Sequence, residues 1–298
     1  MKIGWVLCGP DHIGTARISG TNLVNELKRQ KVDASIIHQP EFPTLNMPHI
    51  EERLEGKNYD LIVFQKRGGP GFISAMKYCR EHRIKTVYNC GDYIEAALVY
   101  AKLCDAQVSP SKHMCKLLGR TWKFIPSGFE TFSGHYVHKD EGARPFWFGN
   151  ASNKEPLDKL VPFICTTISN FAGCTVEWSL DVMNRLYEFG NVSVLPQSNS
   201  AWGVSKGEGR AVQSKAMGFP VIATPIPAYR KLPGIMFAVT PQDWQDRLEE
   251  LNNPETRLKW SREGRTEIEM KYNIEQIALR WMALFFSLLG SQQATNET

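Results

Sequence analysis

The residues best suited to chemistry lie in the stretch 201–223, AWGVSKGEGRAVQSKAMGFPVIA. Lys206, Glu208, Arg210 and Gln213 stand in a glycine-broken loop and the helical segment after it. A helix beginning near Lys206 places Lys206, Arg210 and Gln213 at i, i+4 and i+7, on one face. Gly207 and Gly209 leave the backbone open at the first turn, where unpaired N–H groups and the helix dipole favour an anion. Two cations, a helix N-terminus and one neutral amide suit a diphosphate with a sugar or ribose attached. The same residues also fit an ordinary solvated first turn. Gly218-Phe219-Pro220 then ends the helix, and Val221-Ile222-Ala223 reads as a buried strand.

The elements ahead of this stretch form a regular series. Residues 3–8 are a continuous apolar run, the mark of a strand buried on both faces. The loop GPDHIGT follows, and Ser19 opens a helix through Lys31 with Leu23, Val24 and Leu27 on its apolar face. Gly9 and Gly14 have the Walker spacing, but Thr15-Ala16 stand where Lys-Ser/Thr is needed, and G-x-G-x-x-G is absent. Gly14 and Thr15 still permit close approach of a ligand, with Arg17 reaching towards it. Strands are expected at 34–38, 61–64, 85–90, 107–109 and 123–125, with helices at 50–57, 72–82, 94–103 and 111–119. That alternation predicts a parallel sheet with helices on both faces. Lys66 and Arg67 after the third strand, and Asp92 after the fourth, lie where open α/β sheets bind ligands. An exposed loop for the two cations and a helix N-cap for Asp92 fit as well.

The polar segment 132–144 reads as a linker. A second α/β series begins at 146–149. Its helices are expected at 156–167, 181–188, 241–251 and 254–271, and its strands at 175–179, 192–196, 221–224 and 235–239. The last helix carries Ile274, Ile277, Ala278, Trp281, Leu284, Phe285 and Leu288 as an apolar stripe that must be covered. From Ser291 the chain is polar and reads as a disordered tail. The 298 residues leave room for two domains. A net charge of +4 and a pI near 8.6 fit an anionic small ligand or a peripheral contact with a negatively charged membrane surface. No basic stripe interleaved with aromatics argues for nucleic acid. The seven cysteines form no C-x-x-C pair and read as reduced thiols of a cytoplasmic protein. No apolar run approaches a membrane span, and the N-terminal one is too short for a signal peptide. His12, His38, His113 and His135 have no metal or triad spacing, and Trp202 reads as packing under the loop.

The segment EGRAVQSKAMGFPVIATPIPAY, residues 208–229, resembles the signature helix, strand and turn of glycosyltransferase family 4. Residues 192–196 (VSVLP), 125–129 (IPSGF), Phe148-Gly149-Asn150 with Lys154, and 266–286 resemble further segments of such chains. The resemblance implies an α/β GT-B fold: two Rossmann-like, doubly wound domains facing a central cleft, with a C-terminal helix crossing back. Residues 1–140 and 274–290 would form the acceptor-side domain and 141–273 the donor-side domain, leaving 291–298 as tail. It implies transfer of a hexose from a nucleotide-diphosphate sugar to a hydroxyl of a glycan, lipid-linked or other acceptor, with retention and without metal or cofactor, as in polysaccharide biosynthesis. By this resemblance Lys206 and Arg210 would neutralise the donor diphosphate and stabilise the leaving nucleotide. Gly14, Thr15, Arg17, Asn150, Lys154, Gly207, Gly209 and Gln213 would bind the donor, Glu208 would turn towards the sugar, and Asp92 and Lys66 would face the cleft. The family's paired glutamates, however, fall on Ser205 and Gln213. Gln213 could still hold a ribose hydroxyl, because an amide both donates and accepts. This departure keeps open a non-catalytic nucleotide-sugar or glycan-binding protein, or a nucleotide-sugar epimerase on the same architecture.

Overall fold

A computed structural model describes residues 1–92, 95–132, 141–158 and 166–293. The chain forms two compact units, Met1–Gly128 with Ile274–Thr298, and Phe129–Asn273. The linker positions 133–140, with His135, lie outside the described residues, as does the tail beyond residue 293.

The first unit holds six strands: β1 (Lys2–Val6), β2 (Asp33–His38), β3 (Leu61–Gln65), β4 (Lys85–Asn89), β5 (Ala106–Ser109) and β6 (Trp122–Phe124). They are all parallel, in the order β2-β1-β3-β4-β5-β6. Alternate residues of a strand face opposite sides, and both sides are covered. Ile3, Trp5, Leu61, Val63 and Val87 pack on Leu23, Val24 and Leu27 and on the last helix, Ile274–Gln293. Ile62, Phe64 and Tyr88 pack on Phe72, Ala75, Met76 and Cys79 of the helix Gly69–Glu81. The stripe on the last helix therefore finds its cover in the first unit's sheet. Trp5 stands edge-on to both Trp281 and Phe285, with ring centroids 5.8 Å apart in each pair.

The second unit repeats the scheme with β7 (Pro145–Phe148), β8 (Thr166–Ser169), β9 (Val176–Glu177), β10 (Val192–Leu195), β11 (Val221–Ala223) and β12 (Ile235–Phe237). The order is β12-β11-β10-β7-β8-β9, again parallel throughout.

Several expected elements change. The first helical stretch starts at Gly14 instead of Ser19, and passes through a π-helical turn, Arg17–Thr21, before Asn22–Arg29. That turn lays Gly20 against Leu7, just past the end of β1, where a Cβ would stand 2.4 Å from Leu7 Cδ2. The helix expected at 156–167 is described only as Glu155–Asp158, and Thr166, Thr167 and Ile168 belong to β8. Three successive β-branched residues favour an extended backbone. Ser179 is not in a strand: its Oγ accepts from Val182 N at 3.1 Å and caps Leu180–Asn184. The helix expected at 181–188 breaks at Arg185, and that at 254–271 breaks at Gly264, whose φ is +70°. The last helix continues through Gln293, past the expected start of the tail.

Trp281→Ala removes the last helix's largest buried side chain. Its expected cost is about 3–5 kcal/mol, read as an earlier urea transition of the first unit by near-UV circular dichroism.

Candidate functional site

In the second unit the chain leaves β7, runs outward through β8 and β9, and returns to β10 on the other side of β7. The carboxyl ends of β7 and β10 thus adjoin at the point where strand order reverses, which is where open α/β sheets bind ligands. The helix Gly209–Ala216 follows β10 through a loop and a short helix, Ala201–Val204. Two side-chain bonds shape this loop. Ser200 Oγ accepts from Gly203 N at 3.1 Å, and Ser205 Oγ donates to Trp202 O at 2.8 Å. Gly203 is required there, because a Cβ would lie 2.2 Å from Ser198 O. The helix ends as expected at Gly218, with φ at +88°. Gly218 N bonds Lys215 O and Phe219 N bonds Ser214 O, each at 3.0 Å, which satisfies two carbonyls of the last turn.

The helix begins at Gly209, not near Lys206. The glycines at 207 and 209 do not favour helix, and the shared face of Lys206, Arg210 and Gln213 is not formed. Lys206 lies in the loop, with Nζ 3.3 Å from the centroid of the Trp202 ring. Arg210 lies in the first turn and reaches the end of β7. Its Nη1 donates to Phe148 O at 3.4 Å, and its guanidinium stands 5.8 Å from the Trp147 ring. Gly149 makes this approach feasible, since a Cβ would stand 3.0 Å from Arg210 Nη1 and 2.7 Å from buried Trp147. The FWFG run carries that signal as a glycine directly after three buried aromatics. Glu208 is buried at the N-cap position, and its carboxylate accepts from Tyr272 Oη at 3.2 Å. Gln213 is buried and clamps one residue: its Oε1 accepts from Glu130 N at 2.8 Å and its Nε2 donates to Glu130 O at 3.0 Å. Ser205 and Gln213 both spend their side chains on backbone. Asn150 is exposed just past β7, and Lys154 lies with Nζ 5.2 Å from the Phe171 ring centroid.

The first unit groups a second set at the carboxyl ends of β1, β3 and β4. Lys66 has a positive φ of 47° and pairs with the Asp92 carboxylate. It also donates to Thr15 Oγ1 at 3.4 Å. Burial alone would lower the Lys66 ammonium, and Asp92 reverses this, holding it above the ordinary lysine range. Burial also raises the neighbouring thiols Cys8 and Cys90, the latter to about 11, so both are protonated near neutral pH. Gly14 has open space where a Cβ would be. Arg17 is buried and does not reach outward: its Nη1 donates to Asp11 O at 2.5 Å, tying down the loop after β1. Arg67 is fully buried, so the exposed-loop alternative fails for it. Among the described residues no group of three His, Cys, Asp or Glu side chains is placed to hold a metal ion.

No family model and no curated protein matches this chain. Solved structures do match. The Anabaena protein HepE, in complex with UDP-glucose, is 13% identical over 98% of this chain and 100% of its own, with a TM-score of 0.69. An α-glucosyltransferase in complex with UDP and a 13-mer DNA is 9% identical over 96% and 99%, with a TM-score of 0.65. AviGT4, a glycosyltransferase involved in avilamycin A biosynthesis, is 12% identical over 98% and 99%, with a TM-score of 0.56. At such identities the likeness is one of fold. The two parallel six-stranded sheets with their helices match these structures as a GT-B fold.

Two measurements probe these arrangements. Gly149→Ala pushes against a rigid indole and displaces the Arg210 guanidinium. The expected cost of this overpacking is about 1–3 kcal/mol, read as a lower midpoint in thermal unfolding. His38, at the end of β2, is held down to about 4 by burial and by the Arg67 and Arg53 guanidiniums. The unfolded chain therefore takes a proton below about 6.5 that the folded chain resists. Stability is full above pH 6.5 and is lost as pH falls towards 4. His38→Asn should flatten this part of the pH dependence in thermal unfolding.

Proposed function

We propose that this chain is a glycosyltransferase that moves a hexose from a nucleoside-diphosphate sugar to an acceptor hydroxyl. The observation that carries the reading is Arg210, held over the end of β7 at the second unit's switch point by a neighbour that must be glycine. A guanidinium there, beside the open first turn of a helix, suits the diphosphate. UDP-sugars are the first donors to test, because the complexes of HepE and of the α-glucosyltransferase contain UDP-glucose or UDP.

In this reading Arg210 and Lys206 bind the diphosphate and take up the negative charge that develops as the sugar–phosphate bond breaks. Such preorganised stabilisation is often the largest catalytic contribution. It serves the purpose a metal ion has elsewhere, which supports a metal-independent enzyme of the family 4 type, acting with retention. Asn150 and Lys154, past the end of β7, contribute to the donor side. Asp92, with Lys66, belongs to the acceptor side, and the acceptor is a glycan or lipid-linked hydroxyl met in the cytoplasm or at its membrane surface.

A second reading has its own support. Ser205 and Gln213, where the family's glutamates fall, are both bonded to backbone. That commitment favours a protein that binds a nucleotide sugar without transferring it.

Thermal unfolding against UDP, GDP, ADP and TDP and their sugars tests both, since a ligand of the native state raises the midpoint. One nucleotide series should raise it, and Arg210→Ala and Lys206→Ala should each weaken that ligand about tenfold or more. Release of nucleoside diphosphate from the bound donor establishes transfer or hydrolysis, whereas tight binding without release across an acceptor panel favours the binding protein. No shift with any nucleotide sinks both readings.

A further inference from the structure

We propose that the first unit carries a separate site for an oxyanion, the carboxylate or phosphate group of a small ligand, formed by Arg67, His38 and Arg53 at the carboxyl ends of β3 and β2.

Arg67 follows the end of β3 and is fully buried. Its Nη1 donates to Thr44 O at 2.7 Å, but its buried Nε and Nη2 have no hydrogen-bond partner among the described residues. Among the described residues no carboxylate offsets its charge: the groups that favour the cation, Cys8 and Tyr88, are weak partners, and burial draws the guanidinium down to about 10. A buried charge with neither counter-ion nor full hydrogen bonding is strongly unfavourable unless something else supplies both.

His38 points to the same chemistry by an independent route. Arg53 Nη1 lies 3.2 Å from His38 Nδ1. A guanidinium only donates, so Nδ1 accepts and the ring proton sits on Nε2. That Nε2 is also buried without a partner among the described residues. Arg67 and His38 lie close enough for the cation to depress the imidazole. Their three unpartnered nitrogens are therefore all donors. A water would offer two lone pairs but bring two donors of its own, whereas an oxyanion offers acceptors only.

The location agrees. Strand order reverses between β1 and β3, so Arg67, past the end of β3, stands beside this unit's switch point, and His38, at the end of β2, lies on the other side of β1. Burial is graded from Arg67, which is enclosed, through half-buried His38 to exposed Arg53, which leaves Arg53 on the open side.

The test uses the full chain carrying Lys206→Ala and Arg210→Ala, so that anions at the second unit do not contribute. Thermal unfolding and calorimetry are run with inorganic phosphate in one arm and glucuronate in the other. At least one should bind saturably and raise the midpoint, and the arm that responds assigns phosphate or carboxylate. Arg53→Ala, a surface change, should weaken it about tenfold, and Arg67→Met should abolish it. If Arg67→Met does not fold, Arg53→Ala decides. Absence of binding in both arms overturns the proposal, as does binding that survives these substitutions. Nucleotide binding by the unsubstituted chain is scored separately, so either result stands apart from the glycosyltransferase reading.

Discussion

Both sheets depend on one topological constraint. Parallel strands need long crossovers, and right-handed crossovers place helices on opposite faces when the chain moves in opposite directions across the sheet. Wherever the direction reverses, two neighbouring strands send their helices apart and leave their carboxyl ends uncovered. In the first unit this happens between β1 and β3, and in the second between β7 and β10. Lys66 and Arg67 follow β3 at the first of these places, and Arg210 reaches the end of β7 at the second. The second depends on a close approach, since Gly149 lets a guanidinium lie against the terminal carbonyl of β7.

The buried cations show how differently such a fold can treat a charge. Lys215 is fully buried and donates to Trp260 O at 2.5 Å and to Ser261 O at 3.2 Å, carbonyls at the end of the helix Pro254–Arg262. The negative end of that helix compensates the ammonium only in part, and burial pulls it down to about 8. Lys66 takes the other course and keeps its charge through Asp92. Lys215 thus joins two helices, Lys66 holds the end of β3 to the segment after β4, and Arg67 retains two donors without a partner among the described residues.

The architecture was legible because parallel strands covered on both faces read as unbroken apolar runs. Residues 3–8, 61–64 and 192–196 declare themselves in this way, as does the stripe from Ile274 to Leu288. What the sequence conceals is set by neighbours distant in the chain. β8 is a run of β-branched residues between β7 and β9, and local pattern alone merges it into the preceding helix. The break at Gly264 comes from close packing on Pro233, whose Cβ would lie 2.4 Å from an added one. At the site, the residue types in 201–223 are legible but their geometry is not. Lys206 leaves the helix, Gln213 is consumed by Glu130, and Glu208 by Tyr272. The burial of Arg67 follows from the loop that supplies Thr44 O, a contact that no local pattern signals.

The most direct test of the central claim is a crystal structure of the full chain grown with UDP. The diphosphate is expected within hydrogen-bond reach of Arg210, against the open backbone at Gly207 and Gly209 and beyond the carboxyl ends of β7 and β10. A diphosphate ordered anywhere else, with Arg210 still on the Phe148 carbonyl and touching no phosphate, would contradict the account.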